Sequence, residues 1–87
     1  MPVYRYTVEL SSRAKRELLK LPRDIRKRVT ARLINLEENP RPVGIVKLKG
    51  YEGQYRLRVG DYRVQYVIQD TSLIVTIVKV SHRSESY

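Results

Sequence analysis

QYRLRVGDYRVQYVI, residues 54–68, is the clearest structural signal in the chain. Two alternating runs flank a Gly-Asp dipeptide at 60–61, and a two-residue loop of this kind predicts a β-hairpin with a fixed register. In that register Arg58 lies opposite Arg63. Alternation puts the apolar residues on one face of the hairpin and the basic residues on the other. Three arginines therefore share one face: Arg56, Arg58 and Arg63.

This arginine face indicates a site for an anion. Like charges directly opposite each other in an antiparallel pair are destabilising, so packing alone gives no reason to place Arg58 against Arg63. Guanidinium groups bind phosphate oxygens in pairs, and three of them could hold a phosphodiester and stabilise extra negative charge on it. The alternative is three solvated arginines on an open sheet face, which would need no ligand.

Strands and helices can be assigned outward from the hairpin. Residues 4–10 alternate and predict a first strand. Ser11 and Ser12 offer N-cap oxygens for a short helix that ends before Pro22, and a second helix runs from there to a stop at Asn39-Pro40. A short strand or strand entry is predicted at 45–48, and longer strands at 54–59, 62–68 and 73–80.

These assignments predict a single α+β domain over residues 1–87 in the order β-α-α-β-β-β. We expect a two-helix hairpin packed on one face of a twisted antiparallel sheet, because the other face carries the arginines. An 87-residue chain is too short for two independent cores. The predicted core consists of Tyr6, Val8, Leu18, Val29, Leu33, Leu36, Leu57, Val59, Val64, Tyr66, Val75 and Ile77.

The composition favours a polyanionic partner. Lysine and arginine number 18 against 9 acidic residues, which gives a formal charge of +9. Nine of the basic residues fall between Arg13 and Arg32, where they either form a solvated helix face or bind nucleic acid backbone. The chain has no cysteine, no membrane-length apolar run and no signal-peptide core, so we expect a cytoplasmic protein.

No feature of the sequence predicts a metal or a cofactor. The carboxylates are scattered through turns and helices rather than grouped at ligand spacing. A glycine-rich phosphate loop, a Ser-His-Asp order and a dinucleotide fingerprint are all missing. The tail VSHRSESY adds His82, Arg83 and Tyr87 after the last long strand, and we expect it to fold back over the arginine face with a titratable group.

The chain resembles the RelE branch of the RelE/ParE toxin superfamily. The resemblance is carried by KRELLKLP, the NP stop, KLKG, YRLRVGDYRVQY and HRSESY, and it spans essentially the whole chain. It implies a toxin of a type II toxin-antitoxin system, an endoribonuclease that cuts mRNA in the ribosomal A site without a metal and is neutralised by a cognate antitoxin. The partners so implied are the antitoxin, the ribosome and mRNA.

The resemblance also implies a catalytic set. Arg56 and Arg58 stand where a well-studied member of the family has lysines, while Arg63, Arg83 and Tyr87 match its arginines and its catalytic tyrosine. Arg63 and Arg83 are expected on the phosphate, and Arg56 and Arg58 in positioning and charge stabilisation. Arginine stays protonated and is a poor base, so the base is Tyr87 or His82. Further RNA contacts are expected from Lys47, Lys49 and His82.

Two other functions fit the same fold. A ParE-like toxin would inhibit DNA gyrase through protein contacts, without a catalytic basic set. An inactive relative would only bind an antitoxin or RNA. The arginine face and the HRSESY tail favour the nuclease.

Overall fold

The computed structural model describes residues 5–50 and 52–85. Its elements are β1 Thr7–Leu10, α1 Ser12–Leu19, α2 Arg23–Asn35, β2 Val46–Lys47, β3 Gln54–Val59, β4 Tyr62–Gln69, β5 Ile74–His82 and a closing 3-10 turn Arg83–Glu85. The five strands form one sheet in the order β1-β5-β4-β3-β2. The predicted α+β class and the two-helix hairpin after the first strand are confirmed. The stretch at 45–48, predicted as a short strand or strand entry, contains β2, so four strands follow the helices where the predicted order has three. None of the helices in the described ranges has the length and apolar character to cross a membrane.

The direction of β1 differs from the prediction. β1 runs parallel to β5, with Thr7 beside Ile74 and Leu10 beside Ile77, while the other pairs are antiparallel. The sheet is therefore mixed rather than wholly antiparallel. Alternation in a sequence predicts which face a strand buries, but it carries no information about the direction of the neighbouring strand.

The β3–β4 hairpin has the predicted register. Val59 pairs with Tyr62, Arg58 with Arg63 and Arg56 with Gln65. Gly60 has a φ of +60° at the first position of the loop, a backbone conformation that glycine adopts without the steric cost of a Cβ.

On the edge away from β4, the last part of β5 is held by α1 rather than by a strand. β1 ends beside Ile77, and an extra residue, Val78, forms a bulge between the pairs Gln65–Lys79 and Tyr66–Ile77. The hydroxyl of Ser11, the predicted N-cap of α1, accepts from Ala14 N and donates to the Val78 carbonyl, both at 3.0 Å. Glu17 Oε1 accepts from Val80 N at 2.8 Å. These bonds satisfy the free edge of β5 and fix the direction in which the tail leaves the sheet.

The core lies between the helices and one face of the sheet. Nine of the twelve predicted core residues are buried, and Tyr6, Val8 and Leu18 are partly buried against them. The prediction missed Ala14, Ile68 and Val80. Val80 turns inward because the bulge shifts the alternation of β5 by one residue.

Candidate functional site

Three arginines share the sheet face that points away from the helices. Arg56 and Arg58 come from β3 and Arg63 from β4, and their register partners place them on the side opposite buried Leu57 and Val64. Arg58 is exposed, while Arg56 and Arg63 are half-buried. The predicted arginine face is therefore present, with Arg58 directly across from Arg63.

The tail brings a further arginine to the end of this face. Arg83 N donates to the Asp61 carbonyl at 2.8 Å, and Arg83 Nε lies 3.8 Å from Asp61 Oδ1. Arg58 Nε donates to the Gly60 carbonyl at 3.0 Å on the same turn. A cleft of about 60 Å³, which we call the arginine cleft, is lined by Arg58, Gly60, Asp61, Tyr62, Arg63 and Arg83. Arg56 lies further along the same face, two residues before Arg58.

His82 does not join the arginine cleft. It pairs with Tyr62 across the sheet and so lies on the helix side, with the two rings edge to face at 5.2 Å. His82 Nδ1 lies 2.9 Å from Ser84 Oγ. The ring borders a polar cavity of about 510 Å³ together with Glu17 of α1 and Lys20, the residue that follows this helix. The bulge at Val78 gives β5 this alternation, which the sequence does not reveal. Tyr87 lies outside the described residues.

The two predicted lysines lie at the far edge of the sheet. Lys47 pairs with Tyr55, so it occupies the helix side of the sheet and not the arginine face. Lys49 follows β2, and both lysines border an open cavity of about 640 Å³ with Glu52. Their contact with RNA stays a prediction, and the structure does not bring Lys47 to the arginine face.

One residue near the turn has no signal in the sequence. The guanidinium of Arg28, on α2, lies within 3.4–3.7 Å of the point that a Cβ on Gly60 would occupy. Asp24 stands four residues before Arg28, a spacing that favours a helical ion pair. Among the described residues, no carboxylate oxygen lies within 4.0 Å of Arg28. The approach of α2 to the turn is a tertiary contact that periodicity cannot predict.

The other end of the hairpin carries a network of matched charges. Arg41 binds both oxygens of Asp70, at 2.8 and 3.1 Å, and its Nε donates to the Tyr55 hydroxyl at 3.2 Å. The Tyr6 hydroxyl donates to Asp70 at 2.7 Å. The hydrogen bonds from Arg41 and then Tyr6 lower the pKa of Asp70 to about 2. The bond to Asp70 raises the pKa of Tyr6 and of Arg41.

Tyr66 completes the interior side of this end. Its hydroxyl donates to the Pro40 carbonyl at 2.8 Å, and burial raises its pKa to about 12. It therefore serves packing and not proton transfer. Within the described ranges, no group of three or more histidine, cysteine, aspartate or glutamate residues is placed to hold a metal ion.

Comparison with known proteins gives the class of protein. The family model described as the ParE toxin of type II toxin-antitoxin system, parDE, matches residues 8–87. The putative toxin RelE1 of Methanocaldococcus jannaschii is 35% identical over 86 residues, covering 95% of this chain and 96% of the relative. The mRNA interferase toxin RelE of Escherichia coli K12 is 30% identical over 83 residues, covering 93% and 86%.

Solved structures agree with the sequence relatives. The archaeal RelE-RelB complex of Pyrococcus horikoshii OT3 superposes with a TM-score of 0.83 at 29% identity, covering 94% of this chain and 99% of that one. Isolated E. coli RelE gives 0.79 at 26% identity, covering 88% and 83%. The fold and the matches thus define a toxin of a type II toxin-antitoxin system. The chain belongs to the RelE/ParE toxin superfamily.

Proposed function

We propose that this protein is an endoribonuclease toxin that cleaves mRNA in the ribosomal A site. The observation that carries the proposal is the convergence of Arg58, Arg63 and Arg83 on the arginine cleft at the β3–β4 turn. A relative that covers most of the chain bears the name mRNA interferase. The proposed substrate places the action of the toxin in the cytoplasm.

The arginine cleft suits a phosphodiester because the ion pair that it forms within the chain is weak. The ion pair between Arg83 and Asp61 spans 3.8 Å, and the two side chains are 62% and 61% exposed. Exposed pairs of this length contribute little to stability, so a phosphate can replace Asp61 at small cost. In the proposed complex Arg63 and Arg83 bind the phosphate, while Arg56 and Arg58 position the RNA and stabilise the charge that develops during cleavage.

The reaction also needs a base for the attacking 2′-hydroxyl and an acid for the departing 5′-oxygen. Arginine remains protonated at physiological pH and cannot act as the base. His82 faces the helices, whereas Arg63 faces away from them. We therefore assign the base to Tyr87. No step in this chemistry calls for a metal.

A cognate antitoxin is the natural partner of such a toxin. Solved relatives include complexes of RelE with RelB, among them the one from Pyrococcus horikoshii and the intact E. coli RelBE complex. A charge of +9 and the open arginine face favour an acidic or amphipathic antitoxin that covers the basic surface.

The test is to induce the chain without an antitoxin and to map new mRNA 5′ ends by primer extension, in lysates with and without ribosomes. We expect cuts inside codons that require ribosomes and disappear in Arg63→Ala and Tyr87→Phe. Arg23→Ala, which removes an exposed arginine at the start of α2, serves as the matched control.

Two other results would replace the proposal. The family model carries the ParE name, so gyrase inhibition is the second candidate function. Intact mRNA together with arrested DNA supercoiling would establish that candidate. Unhindered growth of the induced cells would identify an inactive relative.

A further inference from the structure

The arginine cleft continues onto α2 through Arg28. Three guanidinium atoms of Arg28 lie 3.4, 3.6 and 3.7 Å from the point that a Cβ on Gly60 would occupy. Arg58 Nε donates to the carbonyl of the same glycine at 3.0 Å. One residue of the turn therefore lies beside two guanidinium groups, one from the helix layer and one from the sheet.

This placement does not satisfy the donors of Arg28. Within the part of the chain that the structure describes, no carboxylate lies within ion-pair distance of Arg28, although Asp24 stands four residues before it. The Arg28 side chain lies beside Gly60 and remains exposed. Guanidinium groups left in this state keep their hydrogen-bond donors for an external acceptor.

Positively charged side chains gather around the turn. Three guanidinium groups, from Arg28, Arg58 and Arg83, lie around the Gly-Asp loop, and the Asp61 carboxylate pairs with that of Arg83 at 3.8 Å. Like charges held this close repel each other, and a ligand with several negative charges relieves that repulsion. A single phosphate in the cleft leaves Arg28 on the far side of Gly60 without an anion.

We propose that Arg28 binds a phosphate of the RNA next to the one that is cleaved, so that the RNA backbone crosses the β3–β4 turn from the arginine cleft toward α2. This inference rests on the proposed function. Arg28 acts in RNA binding and not in the chemical step. A Cβ at position 60 would meet the Arg28 guanidinium at ordinary van der Waals distance, so this side chain lies directly beside the turn.

The first measurement is the cleavage rate on ribosomes programmed with mRNA, for the wild type, Arg28→Ala, Arg28→Lys and the control Arg23→Ala. We expect Arg28→Ala to raise KM about tenfold and to leave kcat within about twofold, as for the loss of one charged hydrogen-bond contact. Arg28→Lys should recover part of the affinity, and Arg23→Ala should behave as the wild type. Equal thermal unfolding of all four proteins shows that the fold is intact.

The second measurement separates this inference from the proposed function. The affinity for a single-stranded RNA with a 2′-deoxy group at the cleaved position is measured against salt concentration. Loss of one phosphate contact lowers the slope of log Kd on log salt by about 0.7. An unchanged slope and KM in Arg28→Ala overturn the inference. If the wild type leaves mRNA intact on ribosomes, the proposed function fails, and the slope still decides whether Arg28 binds RNA phosphate.

Discussion

The two ends of the β3–β4 hairpin use arginine in opposite ways. At the end away from the turn, which we call the open end, Arg41 donates hydrogen bonds to both oxygens of Asp70 within 3.1 Å. The Arg41 guanidinium also lies 5.5 Å from the centre of the Tyr55 ring. At the turn end the carboxylate of Asp61 reaches Arg83 only at 3.8 Å. An arginine whose donors are met inside the chain stabilises the fold. An arginine that lacks such a match is available to an external phosphate.

The largest effect we expect separates activity from stability at the turn end. Arg58→Gln removes a charge from the arginine cleft and keeps a polar side chain on the exposed face. Cleavage of mRNA on ribosomes should fall about 100-fold, the loss typical of removing one group that stabilises transition-state charge. Rapid-quench cleavage kinetics at saturating ribosome concentration measures this effect.

The matching control is a change at the open end. Arg41→Ala should cleave at the wild-type rate when both proteins are measured below their melting temperatures. A comparable loss of cleavage in Arg41→Ala would mean that cleavage is not confined to the turn end and that the open end does more than stabilise the fold.

The next effect concerns the stability of the open end. Arg41→Ala removes three hydrogen bonds and the contact with the Tyr55 ring, so we expect Tm at neutral pH to fall by roughly 4–8 °C. Arg5→Ala, which breaks exposed pairs with Glu37 and Glu38 at 3.4 and 3.8 Å, is the control and should change Tm much less.

The pH dependence of that difference identifies its cause. Asp70 has a pKa of about 2 in the folded protein against an ordinary value of 3.8, so its contribution is complete above the ordinary value. The contribution is lost as the pH falls from about 4 through 2, because Asp70 then takes up a proton. The gap in Tm between the wild type and Arg41→Ala should therefore narrow over this range. A constant gap would show that Asp70 is not the partner that matters.

The sequence predicted the fold wherever local chemistry is decisive. The Gly-Asp loop set the hairpin register and Ser11 set the start of α1. The second helix was predicted to run to Asn39-Pro40, but α2 ends at Asn35, four residues earlier. The parallel direction of β1 and the bulge at Val78 were not predicted. Both depend on how distant segments pack together, and neither leaves a periodic trace in the chain.

In the candidate site, too, the features set by local sequence could be predicted and those set by the packing of distant segments could not. The shared face of Arg56, Arg58 and Arg63 could be predicted because strand alternation and one turn determine it. The side on which His82 lies could not, because the bulge in β5 reverses the alternation before the tail. Arg28 was missed for a related reason, since only the packing of α2 against the sheet brings it to Gly60.

The smallest effect tests whether the turn end stores repulsion. Arg58 lies directly opposite Arg63, and like charges in this position destabilise a sheet, so Arg58→Gln should stabilise the free protein by about 0.5 kcal/mol in urea unfolding at low salt. The gain should vanish near 1 M salt, where the screening length falls to about 3 Å. When a single-stranded RNA with the 2′-deoxy substitution is added, the wild type should become the more stable of the two proteins. The reason is that the RNA binds the wild-type cleft more tightly and therefore stabilises the wild type more. A gain that is independent of salt would mean that the repulsion between these arginines is not its source.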